Sequence, residues 1–270
     1  MRTKFAPVMI PHEHGAWAMF AAPLLIGIGV APALNGAVWL FALTAFGFFL
    51  LRYPLAITIK SRAPDARRNA LRWSAIYGAL TIVAGAALVA VTRLGSLILL
   101  GALGALSLAV YLWLAARRAE MSFAGEWVGI AGLALGAPTA YLVATGTLDA
   151  TALALYALNL MYFGGTVFYI KFKVREQPRV VALAAGTREK LWAGRVTIGY
   201  HALALMLVAL LAIVGRVPAL AAAAFVLPFG KVVAGVMTHP ARLNLPRLGM
   251  IELAITLAFA LVVLAAYRWF

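Results

Sequence analysis

The chain has no cysteine among its 270 residues. That excludes a disulfide framework, thiolate metal ligation and a cysteine nucleophile. Charge is scarce at 11%, and acid is scarcest, with 8 Asp+Glu against 23 Lys+Arg. A soluble domain carries ~25% charged and ~45–50% apolar residues. This chain is 65% hydrophobic, which excludes a soluble enzyme and a disordered chain. The net charge of +15 would point to nucleic acid in a charge-rich protein; in a charge-poor one it does not, and no nucleic-acid partner is expected. Catalytic signatures are missing as well. There is no Walker A sequence, no GxSxG, no HExxH and no glycine-rich nucleotide fingerprint. A cleavable signal peptide is not expected either, because Pro7, Pro11 and His12-Glu13-His14 interrupt the first apolar run.

What is present is apolar runs of membrane length. A spanning helix needs ~20 mainly apolar residues, and nine segments qualify: 15–34, 36–59, 73–92, 94–116, 127–147, 150–170, 196–215, 217–237 and 248–267. Continuous runs of this length exclude a β-barrel, whose strands alternate with period two. The expected fold is all-α, a polytopic membrane helical bundle forming one domain over 1–270. Within it, 1–14 is expected as a cytoplasmic N-terminal segment and 60–72 and 171–195 as the main cytoplasmic loops.

Twenty of the 23 basic residues fall before span 1 or around the connections after spans 2, 4, 6 and 8. Only Arg93, Arg216 and Arg268 fall on the other side. The positive-inside rule then puts the N-terminus in the cytoplasm and the C-terminus outside. The segment 178–192 reads as a short interfacial helix. Spans 1 and 5 both lead through small residues to a mid-span proline, Pro23 and Pro138. Spans 2 and 6 end alike, Thr58-Ile59-Lys60 and Tyr169-Ile170-Lys171. These pairs suggest two four-helix halves plus a ninth helix.

Ionisable groups inside spans cost about 2.5–3.5 kcal/mol each on insertion scales and so mark candidate sites. Here they gather at the cytoplasmic ends: His14 at span 1, Arg52 in span 2, Glu126 at span 5, Lys171 and Lys173 closing span 6, His201 in span 7 and Glu252 in span 9, with Trp17, Tyr53 and Tyr200 beside them as further candidates. Arg52 is placed to pair with Glu126 or Glu252. Arg52, Tyr53, Lys60, Lys171, Lys173 and Arg195 form a basic set suited to phosphate or carboxylate oxygens. His201 and Glu126 are the candidate general bases, since partial desolvation tunes such groups. His239 lies in a loop. His12-Glu13-His14 resembles a metal string, but i, i+2 ligands do not share a helix face. No metal site is expected, and haem or metal on His14 and His201 is disfavoured.

The string Pro11-His12-Glu13-His14-Gly15-Ala16-Trp17 resembles the HGAW signature that opens the YwiC-like family of bacterial and archaeal membrane proteins. Phe163–Lys171 and Arg188–His201 look like the same family's pattern. The resemblance implies a multi-pass protein of the bacterial or archaeal cell membrane and assigns no reaction. Nine spans with basic loops after spans 2 and 6 also resemble UbiA-type intramembrane prenyltransferases. In those enzymes aspartate-rich motifs in the two loops hold Mg²⁺ and an isoprenyl diphosphate. This chain has Arg52–Lys60 and Lys171–Glu176 there instead, so Mg²⁺ chemistry is not supported and the cofactor stays unknown. The expected function is binding or transfer of an isoprenoid or other amphipathic lipid with an anionic head group, in a basic cavity facing the cytoplasm. The alternatives are a small-solute transporter or exporter and an accessory protein of a membrane redox complex.

Overall fold

A computed structural model describes residues 7–182, 186–238 and 243–269. Every regular element among them is helical: α1 (His14–Val30), α2 (Ala37–Lys60), α3 (Pro64–Thr92), α4 (Ser96–Ala116), α5 (Phe123–Ala134), α6 (Gly136–Thr145), α7 (Ala150–Lys171), α8 (Gln177–Ala182), α9 (Thr187–Ile213), α10 (Ala223–Met237) and α11 (Leu245–Trp269). A π turn, Phe172–Glu176, joins α7 to α8, and a 3-10 turn, Ala219–Ala222, leads into α10. Eight helical stretches among the described residues are long and apolar enough to cross a membrane, and Gly15–Val30 is a shorter apolar ninth. The protein is a multi-pass membrane protein.

The nine expected spans are all found, with differences at their ends that have local causes. α3 begins at Pro64, nine residues before the apolar window. Proline at the first helical position loses no hydrogen bond, and Asp65 sits in the first turn. Span 5 is two helices, α5 and α6, broken at Leu135. Pro138 cannot donate to the carbonyl of Ala134, and its ring crowds that carbonyl. Pro23, Pro54 and Pro228, by contrast, lie inside unbroken helices. Most of the loop expected over 171–195 is helix: the π turn and α8 continue span 6, and α9 starts at Thr187. The expected interfacial helix over 178–192 is thus divided between α8 and α9, and residues 183–185 between them lie outside the described residues.

The chain forms two compact units, Met1–Leu148 and Asp149–Phe270. The first therefore holds spans 1 to 5, and the division falls one span later than the sequence similarity of spans 1 and 5 suggests. Those two proline-bearing spans pack together instead. Gly27 of α1 lies against the Ala137 carbonyl and the Ala140 side chain of α6, and Gly136 of α6 lies against Pro23 and Leu24. Small residues let backbones approach this closely. Phe41, Leu88, Leu97 and Leu142 form the core nearby. In the second unit the core gathers Tyr169, Phe172, Val232, Val236 and Leu248.

Candidate functional site

The signature string builds a strap. Residues 7–13 run without regular structure and are held by donors on α3 spaced four apart. Asn69 Nδ2 and Trp73 Nε1 both donate to the Pro7 carbonyl, at 3.0 and 3.1 Å, and Tyr77 OH donates to the Met9 carbonyl at 3.1 Å. That spacing places all three on one helix face. Trp17 Nε1 donates to the carbonyl of Pro11 at 3.0 Å, and its ring packs edge-on against Phe49 at 4.9 Å. The strap delivers His12 to the edge of Tyr53, 5.7 Å between rings, and Glu13 to Arg52.

Arg52 sits two turns before the end of α2. Its Nη2 donates to Glu13 Oε2 at 3.1 Å, and its guanidinium lies 5.0 Å over the Tyr111 ring of α4. Gly129 of α5 lies near it: a Cβ added there would stand at ordinary contact distance, 3.9 Å, from Nη1. The carboxylate on Arg52 is therefore Glu13, in place of the expected Glu126 or Glu252. Further along α2, Lys60 Nζ donates to Glu120 Oε1 at 2.6 Å.

Glu120 lies between α4 and α5. Its carboxyl is held below its ordinary value, chiefly by the Lys60 hydrogen bond, while burial works the other way. A carboxyl lowered in the folded state contributes stability above its unfolded pKa and loses it as pH falls through the folded value. The pair is thus fully effective above roughly pH 5. Melting curves in detergent are expected to show Glu120→Gln less stable than the parent at neutral pH, by at most about 1 kcal/mol. The two curves should converge as the medium is acidified.

In the first unit a half-open cavity of about 430 Å³ lies along the stretch of α2 that precedes Arg52. Phe20 and Leu24 of α1, Phe41 and Phe48 of α2, and Gly101 and Gly132 of α4 and α5 are among its lining residues. Its three threonines are self-satisfied: Thr44, Thr81 and Thr139 each donate to the carbonyl four residues earlier, at 2.7 to 2.8 Å. Exposed Ile82 and Ile98 also line it. The cavity is apolar, where a basic one was expected, because no Lys or Arg reaches its wall.

The second unit carries a separate polar cluster. Lys231 of α10 donates to both carboxylate oxygens of Glu252 on α11, at 2.7 and 2.8 Å. The Lys231 ammonium also lies 4.5 Å over the ring of Tyr169. Thr256 donates to the Glu252 carbonyl at 2.8 Å, so the hydroxyl of Tyr162, 2.9 Å away, donates to Thr256. Tyr162 stacks on Phe259 at 3.9 Å. Lys231 had been legible only as one of the basic residues flanking a loop.

The remaining expected residues are placed as follows. Lys173 is buried in the π turn and donates to the carbonyls of Gly235 and Thr238, at 2.6 and 3.3 Å, so its charge meets the C-terminal end of α10. Lys171 is buried. Arg195 is exposed and stacks on Trp192 at 4.0 Å. Tyr200 donates to the Met161 carbonyl at 3.0 Å. His201 is buried. Its Nδ1 bonds the Thr197 carbonyl at 2.8 Å, a group that only accepts, so Nδ1 carries the proton. Nε2 faces the notch at Gly165, where an added Cβ would stand 2.7 Å away. Glu126 lies in the first turn of α5, behind the Ser122 cap, where a carboxylate favours the helix N-terminus. His14 is the first residue of α1, but its side chain lies outside the described part of the structure, as does all of His239. Among the described residues no three His, Asp or Glu side chains converge on a metal position.

The strap, Arg52 and the cavity lie almost wholly in one homologous stretch, since residues 10–141 match the YwiC-like protein family. Over these residues, just under half of the chain, it is similar to that family. A curated relative, described as uncharacterized protein YwiC of Bacillus subtilis (strain 168), is 26% identical over 169 residues, covering 63% of this chain and 68% of that protein. No solved structure matches, so the UbiA-type likeness rests on span number and loop placement alone. The strings 163–171 and 188–201 lie outside the YwiC-like stretch matched by the family. The HGAW tryptophan in that stretch has a plain structural task, holding the strap at Pro11.

Proposed function

We propose that the first unit binds an amphipathic lipid with an anionic head group, its isoprenoid or acyl tail in the apolar cavity and its head at Arg52. One observation carries the reading. The cavity-lining residues Phe41, Thr44, Ala45 and Phe48 fall on one stripe of α2, and the next position on that stripe is Arg52. An apolar wall thus runs, one turn on, into a guanidinium suited to phosphate or carboxylate. The cavity volume falls within the ~300–1,000 Å³ of small-molecule sites, and its satisfied threonines ask nothing of a hydrocarbon tail. On the positive-inside bias, the Arg52 end is taken as cytoplasmic, in a bacterial or archaeal cell membrane.

The test uses two variants of the full chain in nanodiscs, with geranylgeranyl monophosphate as the probe. Gly101 lines the cavity, and a Cβ added there meets nothing within 4 Å. Gly101→Leu therefore adds apolar bulk to the tail space from a position where the Cβ itself meets no neighbour, and Arg52→Ala removes the head contact. Each is expected to weaken retention by about tenfold, the loss of ~1.4 kcal/mol. Unchanged retention in both would dismiss the reading.

A second reading, solute transport, draws on the second unit. A Lys231–Glu252 pair lies within two of its spans, and the π turn and 3-10 turn interrupt its helices. Intramembrane charges and broken helices are marks of transporters. Flux in proteoliposomes that disappears with Glu252→Gln would favour it.

A further inference from the structure

The head-group position at Arg52 is already filled by the chain itself. Glu13 reaches it from the strap through one hydrogen bond of 3.1 Å. A guanidinium can offer two parallel N–H bonds to a carboxylate or phosphate, so this contact uses it incompletely. The two partners differ in exposure: the Arg52 side chain is 18% exposed and that of Glu13 is 64% exposed. Arg52 is thus the more buried partner, its guanidinium over the Tyr111 ring, while the carboxylate stands in solvent. The strap does not depend on this contact. The Pro7, Met9 and Pro11 carbonyls are held by Asn69, Trp73, Tyr77 and Trp17. The Glu13 side chain can therefore leave Arg52 while the backbone that carries it stays in place.

We propose that Glu13 is an internal counter-ion, displaced from Arg52 by an incoming phosphate group. The inference rests on the reading of Arg52 as the head-group site. Exchange of one anion for another keeps the guanidinium neutralised throughout, so the empty site never holds an uncompensated charge at the membrane boundary. It also makes Glu13 a competitor of the ligand. Removing its charge tightens binding, the opposite of what loss of a merely structural contact does.

The experiment measures binding of two probes to the full chain in nanodiscs, inorganic phosphate and geranylgeranyl monophosphate. The proteins are the parent, Glu13→Gln, Arg52→Ala and the double variant. Exposed ion pairs are worth at most about 1 kcal/mol, so Glu13→Gln is expected to tighten binding about two- to fivefold. In the Arg52→Ala background the same change is expected to have no effect, because the competition is for Arg52. Tightening for the lipid probe alone assigns the phosphate to a lipid head group. Tightening for both probes assigns the site to phosphate from either source. If Arg52→Ala weakens binding but Glu13→Gln leaves it unchanged or weaker, the counter-ion proposal falls and the head-group site stands. If Arg52→Ala binds like the parent, both fall. Melting temperatures of the four proteins, expected to lie close together, show that the folds are comparable.

Discussion

Lys231→Met is expected to destabilise the second unit by about 3–5 kcal/mol, the usual cost of leaving one member of a buried pair uncompensated. Methionine keeps much of the lysine stem's volume, so the loss reports the charge more than a cavity. The Lys231 ammonium contacts both Glu252 oxygens and the Tyr169 ring. Glu252→Leu alone strands the ammonium and is expected to cost a similar amount. The double variant Lys231→Met/Glu252→Leu is expected to recover most of the loss, since apolar pairs of similar volume replace buried ion pairs at little cost. Equilibrium unfolding in mixed micelles gives the three values and closes the double-mutant cycle. A double variant as unstable as the sum of the singles would mean that the two residues act independently. If the double variant is stable yet inactive in a flux assay, the pair serves function more than folding.

The second large effect lies at the crossing of α1 and α6. A Cβ on Gly27 would run into the Ala137 carbonyl and stand 2.8 Å from the Ala140 Cβ. Neither neighbour can swing aside, because one is backbone and the other a methyl. Gly27→Leu therefore forces the helices apart, with an expected loss of about 1–3 kcal/mol. Both helices line the cavity, through Leu24 and Thr139, so lipid retention is expected to fall as well. Gly101→Leu is the matched control. The residue change is the same, but there the added Cβ meets open space, and the melting temperature is expected to hold while retention falls. Equal destabilisation by the two would refute the crossing geometry.

The spans were legible because a membrane helix declares itself by composition alone, without reference to its neighbours. The ends were less so. Hydropathy marks the apolar slab, and α3 continues past it through Asp65, Arg67 and Arg68. Which proline breaks a helix was not legible: Pro138 does and Pro54 does not, though each lacks the same N–H. The site was partly visible, since Arg52 and Glu252 stand out as charges within apolar runs. Their partners did not. Lys231 reads as topology when counted beside a basic loop, and only the packing of α10 on α11 brings it to Glu252. Glu13 sits in a proline-broken segment with no periodicity, so nothing in sequence announces that it folds back onto α2. The cavity had no sequence signature, because glycine and alanine line it as they line ordinary helix contacts.

The strap's fastenings share one property. Asn69, Trp73, Tyr77 and Trp17 all grip main-chain oxygens and none grips a side chain of residues 7–11. Such a segment is measured and not read. At exposed Val8 and Ile10 its letters can change freely so long as the spacing of its oxygens is kept, whereas adding or dropping one residue between Pro7 and Glu13 throws the carboxylate out of register with Arg52. The length of the stretch before the first helix thus carries information that its composition does not.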